Sequence, residues 1–115
     1  MQNLRIAKVN ALIKSEISDI INRKIKDPRV GFVTITSVEV SKDLRVAKVF
    51  VSVYGDDETK KKTLDGLMSA SVFVHNELRR RLRIKIIPEI VFKIDTSIEY
   101  GLHISKLIDE LKEKG

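Results

Sequence analysis

Two runs of β-branched residues stand four residues apart in this chain, and that spacing constrains the fold more than any other feature. Residues 32–40 read FVTITSVEV and residues 45–54 read RVAKVFVSVY, compositions that suit pleated, half-buried strands. Between them Ser41-Lys42-Asp43-Leu44 is a polar turn of hairpin length. The two strands are therefore expected to run antiparallel, because a parallel pair needs a crossover of a dozen residues or more. In the second strand Ala47, Val49, Val51 and Val53 share one face, while Val46, Lys48, Phe50, Ser52 and Tyr54 share the other. The first face is wholly apolar and is expected to meet helices. The second, with Lys48 and Ser52, is expected to be partly wet.

Helical periodicity flanks the hairpin. Over residues 4–25, Val9, Ile13, Ile17, Ile20, Ile21 and Ile25 form one apolar stripe, with Lys8, Glu16, Asp19 and Arg23 between them. Asp27-Pro28 ends that helix, because proline pushes the preceding residue out of the helical region. Downstream, Gly55-Asp56-Asp57-Glu58 breaks the second strand, and its acids suit the positive start of a helix. A helical pattern then runs from 59 to 82 through Leu64, Leu67, Met68, Val72, Phe73, Leu78 and Leu82. Uninterrupted, it would span about 36 Å, which is long for so small a domain. A break is expected at Ser69, Ala70 and Ser71, a small and serine-rich site.

Residues 85–94 (KIIPEIVFKI) read as a third strand with Ile86, Ile90, Phe92 and Ile94 on its buried face. Pro88 puts it at a sheet edge, or marks its start. Asp95-Thr96-Ser97 is expected to cap a final amphipathic helix with its stripe at Ile104, Leu107, Ile108 and Leu111. The predicted order is α-β-β-α-(kink)-α-β plus a C-terminal helix. The two-helix crossover allows a parallel pairing of the second and third strands, right-handed by rule. The expected architecture is α+β, a three-stranded mixed sheet with helices on one face. Residues 1–115 read as a single domain, with 97–115 as a helical tail.

Composition narrows the function. Hydrophobic residues make up 43% and charged residues 33%, a globular mixture. The absence of cysteine excludes disulfide scaffolds, thiol catalysis and zinc-thiolate sites. No apolar run approaches the length of a transmembrane helix, and the first ten residues lack a signal-peptide layout, which argues against secretion. The two histidines, His75 and His103, have no partner at ligand spacing, so no metal is expected. No recognisable nucleophile motif occurs, and no enzyme is expected. Against these absences stands a net charge of +6, from 22 basic and 16 acidic side chains. The excess lies in residues 1–85, while residues 86–115 are net acidic. A basic body points to a polyanionic partner, nucleic acid or a membrane surface.

The predicted order is that of type II K-homology (KH) RNA-binding folds, and several stretches resemble one family with that fold, bacterial ribosome-binding factor A. They are Lys26-Asp27-Pro28-Arg29-Val30-Gly31-Phe32-Val33-Thr34-Ile35-Thr36 and Val40-Ser41-Lys42-Asp43-Leu44-Arg45-Val46-Ala47-Lys48-Val49. Further on come Arg81-Leu82-Arg83-Ile84-Lys85-Ile86-Ile87-Pro88-Glu89-Ile90 and Asp95-Thr96-Ser97-Ile98-Glu99-Tyr100-Gly101. They occur in the family's order and spacing and cover essentially the whole chain. The resemblance implies a cytoplasmic, monomeric, non-enzymatic assembly factor without cofactor or small-molecule substrate. Its implied partners are the free 30S ribosomal subunit and its 16S rRNA, whose late maturation and processing it would assist. Ordinary KH domains carry Gly-x-x-Gly between the paired helices, where bare backbone meets phosphate, and this chain has none. Ribosome-binding factor A usually carries Ala-x-Gly at that kink. Here the match is Ala70-Ser71-Val72, with β-branched valine in place of glycine. The departure implies a grip on RNA made mainly by basic side chains.

The densest such feature is Arg79-Arg80-Arg81-Leu82-Arg83-Ile84-Lys85, with five positive charges and no acid. Helix ends favour cations, but one or two would satisfy that, so this stretch is read as RNA contact through arginine's phosphate-matching fork. Arg29, in the turn after Pro28, reads equally as an RNA contact or as a local partner of Asp27. Arg45 and Lys48 are further candidates, although alternation places them on opposite faces of one strand. Arg5, Lys8, Lys24 and Lys26 rank lower, as charges on an ordinary solvated surface. Two other uses of a basic face remain: a general single-stranded RNA-binding KH-like module, which needs a stacking platform, and docking of an acidic protein.

Overall fold

The computed structural model describes residues 2–31 and 33–96, with side chains from residue 5 onward. Its elements are α1 (Gln2–Lys24), β1 (Val33–Val40), β2 (Val46–Val53), α2 (Asp57–Ser69), α3 (Ser71–Arg81) and β3 (Glu89–Ile94). The expected C-terminal helix, with its stripe at Ile104, Leu107, Ile108 and Leu111, lies outside the described residues, as does Phe32. The sheet order is β1-β2-β3, with β1 antiparallel and β3 parallel to the central β2. Ala47, Val49, Val51 and Val53 are buried beneath the helices, as alternation requires. The stripe of α1 supplies Ile13, Ile17, Ile20 and Ile21 to the same core, α2 supplies Leu67, and α3 supplies Val74 and Leu78. Val9 and Ile25 lie at the two ends of that stripe and are half-buried. This is the α+β, KH-like arrangement that the element order implied.

β1 departs from plain alternation. Its register with β2 shifts between Ile35 and Ser37, leaving Thr36 as the extra residue of a β-bulge. The bulge reverses the phase of the strand. Val33 and Ile35 point inward before it, and Val38 and Val40 point inward after it. A strict two-residue period would bury only one of these pairs. The Thr36 hydroxyl donates to the Asp95 carboxylate at 2.5 Å, which ties the bulge to the residue after β3.

The helical run does break at the serine-rich site. Ala70 separates α2 from α3 at φ −90° and ψ −2°, and its amide donates to the carbonyls of Gly66 and Leu67. The Ser69 and Ser71 hydroxyls donate to the carbonyls of Asp65 and Met68 at 3.0 and 2.8 Å, bonds of the kind that bend helices. That backbone conformation is open to any L-residue, so the kink has no need of glycine. Val72 stands on the exposed side of α3 with no positive φ.

The third strand begins later than its apolar pattern suggested. β3 starts at Glu89, whose N–H makes its first ladder bond to the Arg45 carbonyl at 2.8 Å. Pro88 cannot donate to a ladder and sits buried just before the strand. Ile86 is therefore outside β3 and 38% exposed, rather than on its buried face. Ile90 and Phe92 are buried as expected, and Ile94 is half-buried.

Gly66 marks where the α1–β1 loop lands on α2. A Cβ added there would lie 2.8 Å from a Val30 methyl and 3.2 Å from the Arg29 Cβ. Gly66→Ala is expected to destabilise the fold by about 1–3 kcal/mol, the usual cost of overpacking. Alanine's better helix propensity, about 1 kcal/mol, offsets part of it. The urea midpoint measures the net effect, and an unchanged or raised midpoint would show that the loop yields freely.

Candidate nucleic-acid interface

Three segments converge at one end of the domain: the start of α1, the β1–β2 hairpin and the α3–β3 loop. The Val40 N–H donates to the Asn10 side-chain oxygen at 3.0 Å, tying the hairpin to α1. The ladder bond from Glu89 to Arg45 ties it to the start of β3. Between these segments lies a cleft of ≈ 220 Å³. Its walls are the aliphatic side chains of Val9, Val40, Leu44, Ile84 and Ile86, with Pro88, and its two charged lining residues are Arg5 and Lys85.

Arg45 lies in the hairpin loop rather than in β2, so strand alternation does not govern it. Leu44, at φ 62°, is the only described non-glycine residue with positive φ. The turn is held around Asp43, whose carboxylate accepts from the Ser41 hydroxyl at 2.7 Å and the Arg45 N–H at 3.1 Å. Arg45 is left exposed, with a long 3.9 Å contact to Asp43. Neighbouring Lys42 is exposed too. It lies in one of the stretches that carry the family resemblance but was not singled out as a candidate. Arg83 and Lys85 are exposed and make no ion pair among the described residues, and the same holds for Arg5 and Lys8.

The stretch from Arg79 to Lys85, read as one RNA contact, does not form a single patch. The helical turn sends its members in different directions. Arg81 points inward, half-buried, with Nη1 at 3.1 Å from Glu16 and 2.7 Å from Asp19 on α1, and Nε at 3.9 Å from Glu77. It bolts α3 to α1. Arg80 is exposed, 3.4 Å from Glu77. Arg79 reaches His75 Nε2 at 3.3 Å, while His75 Nδ1 lies 2.9 Å from the Pro88 carbonyl. Both bonds form together when His75 carries its proton on Nδ1 and accepts at Nε2.

The other candidates lie elsewhere. Arg29 grips Asp27 with Nη2 at 2.7 Å and Nε at 3.1 Å, and Nη2 also donates to the Ser69 hydroxyl at 3.2 Å. It clamps the α1–β1 loop to the α2–α3 kink at Ser69, Ala70 and Ser71. Lys24 and Lys26 are exposed near that loop. α1 is 23 residues long, about 35 Å, so this group is at the far end of the helix from Arg5. Lys48 lies on the open sheet face opposite Glu39, and Lys93, missed in the sequence, shares that face opposite Phe50.

Four aspartates answer these cations and donors. The Arg81 guanidinium holds Asp19 below the ordinary carboxylate range, with smaller help from Arg23. Arg29 does the same for Asp27 through side chain and backbone N–H. The Ser41 hydroxyl and the Arg45 N–H lower Asp43. At the start of α2 the Thr59 N–H, 2.8 Å from Asp56, lowers that N-cap carboxyl. Each depressed value stabilises the fold above the unfolded carboxyl pKa of 3.8, and the gain is lost as pH falls through the folded values. The urea midpoint is expected to hold from pH 7 to about pH 5 and to fall steeply below about pH 4. A midpoint unchanged down to pH 3 would show that these contacts do not form in solution.

Among the described residues, no group of three or more His, Asp or Glu side chains could hold a metal ion, and no helix is long and apolar enough to cross a membrane.

The comparisons with known proteins agree with one another. The chain is 46% identical over 114 residues to the ribosome-binding factor A of Halothermothrix orenii, covering 99% of this chain and 93% of that protein. The solution structure of a Thermotoga maritima protein assigned as a ribosome-binding factor A superposes with a TM-score of 0.72 at 36% identity, over 83% of this chain and 91% of that one. The crystal structure of ribosome-binding factor A from Thermus thermophilus gives 0.69 at 28%, over 77% and 94%. A homology model of the Thermus thermophilus protein, fitted into a cryo-electron-microscopy map of a 30S complex, gives 0.63 at 28%, over 76% and 91%. The ribosome-binding factor A family model matches residues 5–108, and the chain belongs to that family.

Proposed function

We propose that this chain is a non-enzymatic assembly factor that binds the free 30S subunit through its 16S rRNA and assists its late maturation and 16S rRNA processing. The observation that carries this reading is the cluster of exposed cations with no ion partner among the described residues, Arg5, Arg83 and Lys85, with Arg45 beside them, around one end of a domain of this family. Such side chains neutralise phosphates and release counterions, which gives affinity without base reading. A rigid domain that fits one arrangement of immature rRNA more tightly than the others shifts the RNA toward it. The reading uses no catalytic step, cofactor or small molecule. It takes the whole chain as one domain acting as a monomer, in the cytoplasm where subunits are assembled. Support comes from the Thermus thermophilus relative fitted into the 30S map.

Titration against free small subunits, large subunits and unstructured RNA at several salt concentrations tests it. Selective small-subunit binding that weakens with salt is expected. Equal binding to any single strand would favour a general RNA-binding module, and no binding even at low salt would end the reading.

A further inference from the structure

The cleft at the basic end has a feature that phosphate contact alone leaves unused. Its walls are aliphatic, contributed by α1 (Val9), the hairpin (Leu44) and the α3–β3 loop (Ile84, Ile86). Its charged lining residues among the described ones, Arg5 and Lys85, are both cations. At ≈ 220 Å³ it is a small slot. A helix, about 10–12 Å across with its side chains, does not enter a space of that size, whereas a single planar ring does. We infer that this cleft takes one unpaired nucleobase from single-stranded RNA, with Arg5 and Lys85 receiving the flanking phosphates. The inference rests on the reading of this chain as an RNA-binding factor and adds a specific subsite to it.

The charge pattern chooses this occupant. An apolar slot with a cation, Arg5 or Lys85, from each of two segments suits a ligand that is flat and apolar in the middle and anionic on both sides, and that describes a nucleotide within a strand. Unpaired bases are the part of RNA that can be splayed out, and arginine's guanidinium plane is one of the surfaces on which they stack. The described lining side chains offer no carboxylate or amide to read a base edge, so the site should accept any base. An acidic peptide would pair with the same cations but has no ring for the slot.

The test uses the full chain and a seven-nucleotide single-stranded RNA with 2-aminopurine at its centre, compared with the same RNA carrying an abasic residue there. The base-bearing RNA is expected to bind roughly ten-fold more tightly, the lower part of the range for a base stacked on an aromatic ring because these walls are aliphatic, with a change in 2-aminopurine fluorescence on binding. In Val9→Phe and Ile86→Trp, which fill the cleft from two different segments, the difference between the two RNAs is expected to shrink below about two-fold. Circular dichroism confirms that each variant folds. Equal binding of both RNAs by the unaltered protein, with salt dependence intact, overturns the base site and leaves RNA binding standing. A ten-fold difference that persists in both filled variants places the base elsewhere and also overturns the site. Failure to bind either RNA or small subunits at low salt overturns the functional reading itself.

Discussion

Truncating Leu78 to alanine is expected to remove about 2–5 kcal/mol of stability and to lower the melting temperature by roughly 10–20 °C. Leu78 is 0% exposed. It lies on α3, the helix that packs on both α1 and β3, so the cavity it leaves opens between layers already held by other contacts. Arg81, three residues on, pins α3 to Glu16 and Asp19. The backbone therefore has little freedom to collapse into the void, which favours the upper part of the range. Thermal melts followed by circular dichroism measure the loss. Val72→Ala on the same helix is the matched control, since Val72 is 69% exposed and should cost less than about 0.5 kcal/mol. Similar losses for the two variants would contradict the packing of α3.

The double substitution Arg45→Ala with Lys85→Ala is expected to weaken binding to free 30S subunits roughly fifty-fold at 0.1 M salt. It should also reduce the slope of log K against log salt by about 1.8, two phosphate contacts at about 0.9 each. The two residues come from different segments of the basic end and neither is needed for the core, so the variant should melt normally. Lys61→Ala with Lys62→Ala removes the same charge from the first half of α2, where Lys62 is 3.3 Å from Glu58, and should leave affinity nearly unchanged. An equal loss in both doubles would reduce the interface to net charge. Arg81→Ala behaves differently again, because it leaves Glu16, Asp19 and Glu77 facing one another. Its first effect should be on melting temperature, with RNA affinity following only as folding fails.

Much of the fold was legible before any coordinates. The stripe from Val9 to Ile25 and the apolar face of β2 follow from local periodicity, and the break near Ala70 follows from the small, serine-rich site. The bulge was only half legible. The spacing Val33-x-Ile35-x-x-Val38-x-Val40 breaks alternation, but only the pairing with β2 makes Thr36 the extra residue. Ile86 was placed on a buried strand face because its pattern matched. The ladder could not begin until after Pro88, so the side chain stayed outside.

The candidate interface was less legible than the fold. A one-dimensional run shows charges next to one another, whereas a helix turns successive residues by about 100°. Arg79, Arg80 and Arg81 therefore face three ways, and the acids that draw Arg81 inward, Glu16 and Asp19, lie on α1 some 60 residues earlier. Arg29 likewise found Ser69 forty residues away as well as its neighbour Asp27.

The order of elements, the apolar faces and the excess of positive charge belonged to the sequence itself, because each depends on residues within a few turns of one another. That Arg81, of all the arginines in its run, is absorbed by carboxylates of another helix was decided by tertiary structure. So was the cleft between Arg5 and Lys85, because it exists only where three segments distant along the chain come together.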